Sequence, residues 1–151
     1  MLIEDLNKAV LPYLEEYEAR IGTAGIRYGS VAYIAFGNGV TTAHKAHLPT
    51  THYPVEMEFG ADYWEIIRGG DVLMDSNFSN VDAARTEINS LLIGRKVQGI
   101  VVTENESQLE LEGDIILRSR VAQEPASGFL YSFHVAQGPV WETVDGVSTR
   151  Q

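Results

Sequence analysis

The sequence predicts an α+β fold in which a helix followed by about four or five antiparallel strands occurs twice in tandem, with the helices packed on the sheet. Three observations carry that expectation. Apolar residues recur at helical spacing near the start of each half, turn residues separate runs of alternating polarity, and several landmarks repeat at a nearly constant offset. The landmarks are Trp64-Glu65 with Trp141-Glu142, Gly37 with Gly113, Pro49 with Pro125, and the Ile-Gly pairs at 21–22 and 93–94. They divide one domain, residues 1–151, into repeats of about 1–75 and 76–151.

In the first half Ile3, Leu6, Val10, Tyr13, Leu14, Tyr17 and Ile21 mark a helix, with a kink or restart expected at Pro12 and a stop at Gly22. "VAYIAFGNGVTTAH" then reads as two strands joined by Asn38-Gly39, a pair that suits a two-residue hairpin because both positions accept φ > 0. "VEMEF" and "WEIIRGG" supply further strands, and "RGGD" supplies a tight turn. The second helix starts at "SNVD", where Ser79 and Asp82 approximate a capping box. It carries Val81, Ala84, Ile88, Leu91 and Leu92 on one face and ends at Gly94. "QLELEGDIILRSR" reads as a hairpin through Gly113-Asp114 in the Gly-first pattern of a type II′ turn. Leu109 and Leu111 alternate there with glutamates, so one face of the sheet is buried and the other wet. "FLYSFHV" and the second Trp-Glu segment complete the strands.

Composition narrows the function. The 151 residues include 21 acidic and 11 basic side chains, for a net charge of −10. That surface repels phosphate backbones and anionic membranes, so neither nucleic acid nor membrane is an expected partner. A basic protein is the natural complement, because opposite charge speeds encounter. There is no cysteine, which removes disulfides, thiolate metal sites and a cysteine nucleophile. The opening residues lack a basic segment followed by an apolar core, and no apolar run reaches membrane-spanning length, so a cytoplasmic location is expected.

Little in the chain looks chemical. His44, His47 and His52 cluster in "TAHKAHLPTTHYP", enough imidazoles for zinc in principle. An extended chain would place His44 and His47 on opposite faces, and the flanking Leu48-Pro49 and Tyr53-Pro54 favour a loop. The repeat matches His44 to Arg120 and His47 to Gln123, neither a metal ligand, so a solvated loop with no metal and no cofactor is expected. Glu65 and Glu142 would form a carboxylate pair only if a twofold relation brought them together, and strand alternation alone sends them to water. No Gly-x-Ser-x-Gly segment or phosphate-binding glycine loop is present. Tyr28, Tyr33, Phe36, Phe59, Tyr63, Phe129, Tyr131 and Phe133 suit sheet packing, or alternatively a cavity between sheet and helices.

One stretch, Gly94-x-x-Val97-x-x-Ile100 followed by Leu109-x-Leu111-x-Gly113-x-x-Ile116, resembles the strand pattern of small bacterial domains of the polymorphic-toxin immunity-protein type. The resemblance covers residues 94–116, in core and turn positions, and brings no functional residue with it. It implies a small acidic binding protein without catalysis. Binding to a basic protein would then use the acidic positions Glu56, Glu58, Asp62, Glu65, Glu110 and Glu112, with Glu104 and Glu106 beside them. The alternative is a small-molecule-binding protein or an enzyme with an aromatic-lined cavity.

Overall fold

Strand alternation dominates the structure, a computed structural model that describes residues 6–27, 30–44, 47–60, 63–103, 106–120, 129–135, 140–144 and 147–150. In the first half, helix α1 (Leu6–Leu14) precedes seven strands: β1 (Thr23–Arg27), β2 (Val31–Phe36), β3 (Val40–His44), β4 (His47–His52), β5 (Val55–Phe59), β6 (Tyr63–Arg68) and β7 (Asp71–Asp75). In the second, helix α2 (Val81–Leu92) precedes six: β8 (Val97–Val102), β9 (Glu106–Leu111), β10 (Ile115–Arg120), β11 (Phe129–Val135), β12 (Val140–Val144) and β13 (Val147–Arg150). The α+β class with antiparallel sheets therefore holds, with more strands among the described residues than the sequence suggests.

The strands form a six-stranded sheet of order β1-β2-β5-β11-β12-β13, a five-stranded sheet of order β7-β6-β10-β9-β8, and the separate hairpin β3–β4. Neither large sheet belongs to one half of the chain. Strands β1, β2 and β5 are extended by β11, β12 and β13, whereas β8, β9 and β10 are extended by β6 and β7. The joints are the antiparallel pairs β5·β11, with Met57 opposite Phe133, and β6·β10, with Ile66 opposite Leu117. Those four residues are buried, and they share one apolar core with Trp64, Phe36, Phe59, Ile34, Leu109 and Leu111. Each such large side chain withdrawn from water contributes about 1.5–3 kcal/mol.

Helix α2 begins at Asn80, whose side chain accepts a hydrogen bond from the Ala83 amide at 3.0 Å, so the cap lies one residue after the expected Ser79. It buries Ala84, Ile88 and Leu92 and packs against β1, while α1 buries Val10 and Leu14 and contacts β8. Helix α1 ends earlier than Gly22. Pro12 lies in its final turn, a 3₁₀ turn follows at Glu15–Tyr17, and Glu18 and Ala19 adopt left-handed φ of 57° and 55°. The Ala19 amide bonds the Leu14 carbonyl at 2.8 Å, closing the helix end. The chain then bridges the segment before β8, with Ile21 N donating to Arg95 O (3.0 Å) and Val97 N to Ala19 O (2.8 Å).

The hairpin expected at Asn38-Gly39 does not form. Strand β2 pairs with β1 and β5, and β3 pairs only with β4. The reason is competition for the place beside β2. Strand β5 offers Val55, Met57 and Phe59 at alternating buried positions, an apolar set that "VTTAH" lacks. Phe36 and Val55 are register partners, so the chain leaves the sheet and returns to it at adjacent points. At the exit Gly37 has φ +82°, and a Cβ there would lie 2.6 Å from Pro54 Cγ and 2.8 Å from Tyr17 Cε1. The β9–β10 hairpin does form, but Leu111 opposite Ile115 makes its loop three residues, with positive φ at both Gly113 and Asp114. Glu106–Leu111 and Ile115–Arg120 alternate as expected.

Replacing Gly37 by alanine adds both the clash and the φ strain, so a loss of about 2 kcal/mol of stability is expected in thermal or denaturant unfolding.

Candidate functional site

Alternation sends every second side chain of β5, β6 and β10 away from the core, where charged residues meet across strands. On the six-stranded sheet, Arg27 from β1 reaches Glu56 (3.1 Å) and Glu58 (3.0 Å) from β5. Its guanidinium carbon lies 3.6 Å from the centre of the Tyr33 ring on β2. Tyr33 Oη donates to Glu56 at 3.3 Å, and the Tyr53 amide donates to the same carboxylate at 3.3 Å. Burial pushes the Tyr33 hydroxyl well above the usual phenol range, with the Arg27 charge opposing the shift and the Glu56 carboxylate adding to it.

The five-stranded sheet carries a second such cluster. Glu65 on β6 is only 3% exposed, because Arg118 on the neighbouring β10 is its register partner and lies over it. Arg118 donates through Nε (3.0 Å) and through its NH2 to the Glu65 carboxylate, and Arg120 approaches the same oxygen at 3.4 Å. Tyr63 Oη is 3.0 Å from the other Glu65 oxygen and 3.3 Å from Asp75. Burial works to raise the Glu65 carboxyl, but hydrogen bonds from Arg118 and Tyr63 and the charges of Arg118 and Arg120 outweigh it and hold the group below the usual range. Tyr63 is pushed up to about 12, by burial first and then by the carboxylates of Glu65 and Asp75.

These clusters correct the picture of Glu56, Glu58 and Glu65 as wet, available acids. Glu56 and Glu58 are half-buried under Arg27, and Glu65 is enclosed. Glu106 is half-buried and bonded to Gln108. Asp62 and Glu104 lie outside the described residues. Glu110 and Glu112 are exposed as expected, and Glu112 stands 3.4 Å from Arg20. Glu65 and Glu142 lie on strands of different sheets, and the Glu142 side chain is outside the described residues. The arginines were missed because opposition across strands fixes their role, although "LRSR" placed Arg118 and Arg120 on one face.

Several exposed acids lie near the β9–β10 loop. The turn between β6 and β7 and the loop between β9 and β10 are neighbours, since Arg68 is the register partner of Ile115. Glu112 in that loop reaches Arg20, which with Glu15, Glu18, Ala19 and Lys96 lines a depression of about 430 Å³. Phe36, Phe59 and Phe133, by contrast, are fully buried in the core, and no aromatic side chain lines that depression. No helix among the described residues is long and apolar enough to cross a membrane.

The histidine segment is not the loop that its prolines suggest. It is the hairpin β3–β4, in which His44 and His47 are register partners after a shift between Thr42 and His44. The expected separation to opposite faces assumed one continuous strand, whereas His44 and His47 lie on two antiparallel strands. His52 is exposed opposite Val40, and the side chains of His44 and His47 lie outside the described residues.

Arg118→Met leaves the enclosed Glu65 carboxylate with weaker compensation, and a stability loss of about 2 kcal/mol at neutral pH is expected. Because the folded-state pKa of Glu65 is depressed, its contribution is present above the unfolded carboxylate pKa of about 4.3 and is lost as pH falls through the folded value. Urea unfolding across that window should therefore show the gap between wild type and variant narrowing as pH falls. A gap independent of pH would contradict the ion-pair assignment. Comparison with family models, with curated proteins and with solved structures finds no match to this chain.

Proposed function

We propose that this chain is a small, acidic, non-enzymatic protein-binding module of the cytoplasm, of the kind by which immunity domains shield a basic partner. The observation that carries this reading is the sorting of its carboxylates. Glu56, Glu58 and Glu65, on the sheet faces, are tied to Arg27, Arg118 and Arg120. Those around the β9–β10 end, Glu15, Glu18, Glu110, Glu112 and Asp114, stay exposed, and Arg20 and Lys96 offset only part of their charge. Charge left in water costs little to keep and accelerates encounter with a cationic surface. The contact is therefore assigned to Glu110 and Glu112 together with Glu18, while Glu56, Glu58 and Glu65 serve the fold.

The same proposal treats the chain as a duplication with helices packed on the sheets. In support, each half runs from helix through three paired strands, β1, β2 and β5 or β8, β9 and β10, before crossing to the other sheet, and each helix contacts the first strand of the opposite half. The two backbone bonds that join Ala19–Ile21 to Arg95–Val97 exchange equivalent roles. Under this alignment β6 corresponds to β11, so Trp64 and Trp141, on β6 and β12, are not equivalent residues, and the hairpin β3–β4 is an addition to the first copy.

The test is binding to the product of the adjacent gene, measured by surface plasmon resonance. Association with a basic protein should slow by about tenfold or more when the ionic strength rises from roughly 0.05 to 0.5 M. Glu112→Lys and Glu18→Lys should slow it further at low salt. Salt-insensitive association, or no effect of either charge reversal, would sink the electrostatic reading.

A further inference from the structure

Register partners across four strands of the five-stranded sheet line up as Glu110 on β9, Ile116 on β10, Ile67 on β6 and Val72 on β7. Their chain neighbours Ile66, Ile115 and Leu117 are buried in the core, so alternation turns this row to the outer face. None of the three apolar residues joins the core: Ile67 and Ile116 are half-buried and Val72 is 52% exposed. Beyond Glu110 the next register partner is Gly99 on β8, which has no side chain to cover the carboxylate, and Glu110 is exposed. Paired strands lie about 4.8 Å apart, which sets the four positions at roughly 0, 4.8, 9.6 and 14.4 Å along a line across the sheet. An α-helix rises about 1.5 Å per residue, so positions i, i+3, i+7 and i+10 of one stripe stand at about 0, 4.5, 10.5 and 15 Å. The two ladders match.

We propose that this row seats an amphipathic helix of the protein partner, laid across the strands. A lysine or arginine at i meets Glu110, and apolar residues at i+3, i+7 and i+10 lie over Ile116, Ile67 and Val72. The inference rests on the reading of the chain as a protein-binding module and adds an apolar anchor to its acidic contact. Charge chooses the occupant and its direction. Glu110, with Glu112 and Asp114 exposed in the adjoining β9–β10 loop, favours a cationic side chain and the positive N-terminal end of a helix. The apolar row supplies the centre that charge alone lacks, because protein interfaces surround an apolar core with a polar rim.

The experiment uses the full chain and a synthetic peptide of about 18 residues, long enough to hold a helix in water. It carries lysine at i and leucine at i+3, i+7 and i+10, and a scrambled peptide of the same composition is the control. Fluorescence anisotropy measures binding, and amide chemical shifts locate it. The peptide should bind better than its control, with shifts centred on Val72, Ile67, Ile116 and Glu110. Ile67→Thr and Ile116→Thr keep β-branching on exposed sheet positions, so the fold is retained, and each should weaken binding by about tenfold. Glu110→Gln should weaken it most at low salt. The two threonine variants should likewise weaken binding to the product of the adjacent gene. If that product responds to charge reversal at Glu112 and Glu18 but to neither threonine variant, the protein-binding reading stands and the helix seat falls. If it does not bind, that reading falls, and the peptide decides the seat. Absence of peptide binding, equal binding of the scrambled control, or shifts elsewhere on the chain overturns the proposal. So does self-association of the chain that Ile116→Thr abolishes, which would assign the row to a second copy.

Discussion

The pairing of β6 with β10 and of β5 with β11 is the constraint on which the rest of the structure depends. Each large sheet is completed by strands from the other half, so neither half can close its share of the core alone. Met57 needs Phe133 beside it, and Ile66 needs Leu117, before either sheet presents a continuous apolar face. The loops that must close are long, and their entropy is spent before the contacts form, which places the molecule among slow, non-locally paired folders. During synthesis the six-stranded sheet waits for residues 129–150.

The same joints decide what the charged residues do. Pairing β6 with β10 sets Glu65 opposite Arg118, and pairing β2 with β5 brings Tyr33 beside Glu58 and near the Arg27 that spans to Glu56. Glu56, Glu58 and Glu65 are thereby paired within the fold. Among the described residues other acids, Glu110, Glu112 and Asp114 among them, stay exposed.

How much of this was legible in the sequence follows from range. Local signals were readable: the alternation of "VEMEF" and "QLELE", the turn in "RGGD", and the apolar stripe and glycine stop of α2 all appear in the structure. Asn38-Gly39 misled because turn propensity states where a chain can reverse and says nothing of which strand wins the neighbouring edge. That contest was settled by the apolar side chains of β5. The Glu65–Arg118 pair was beyond reach for the same reason, since its residues lie 53 positions apart and meet only through sheet register. Of the candidate binding acids, Glu110 and Glu112 kept the exposure their pattern implied, while Glu56, Glu58 and Glu65 acquired partners that no local pattern encodes.

Because Phe36 and Val55 stand side by side at the ends of two interior strands, the chain between them leaves the sheet and rejoins it at one point. The gap between β9 and β10 is spanned by three residues. Once the ends are pinned, each doubling of the connecting length costs only about 0.6 kcal/mol of closure entropy. The length of that connection thus costs the core little, and this junction is a natural docking port for grafted sequence: a foreign loop, a reporter or a whole domain could replace the hairpin while the two large sheets keep their pairing.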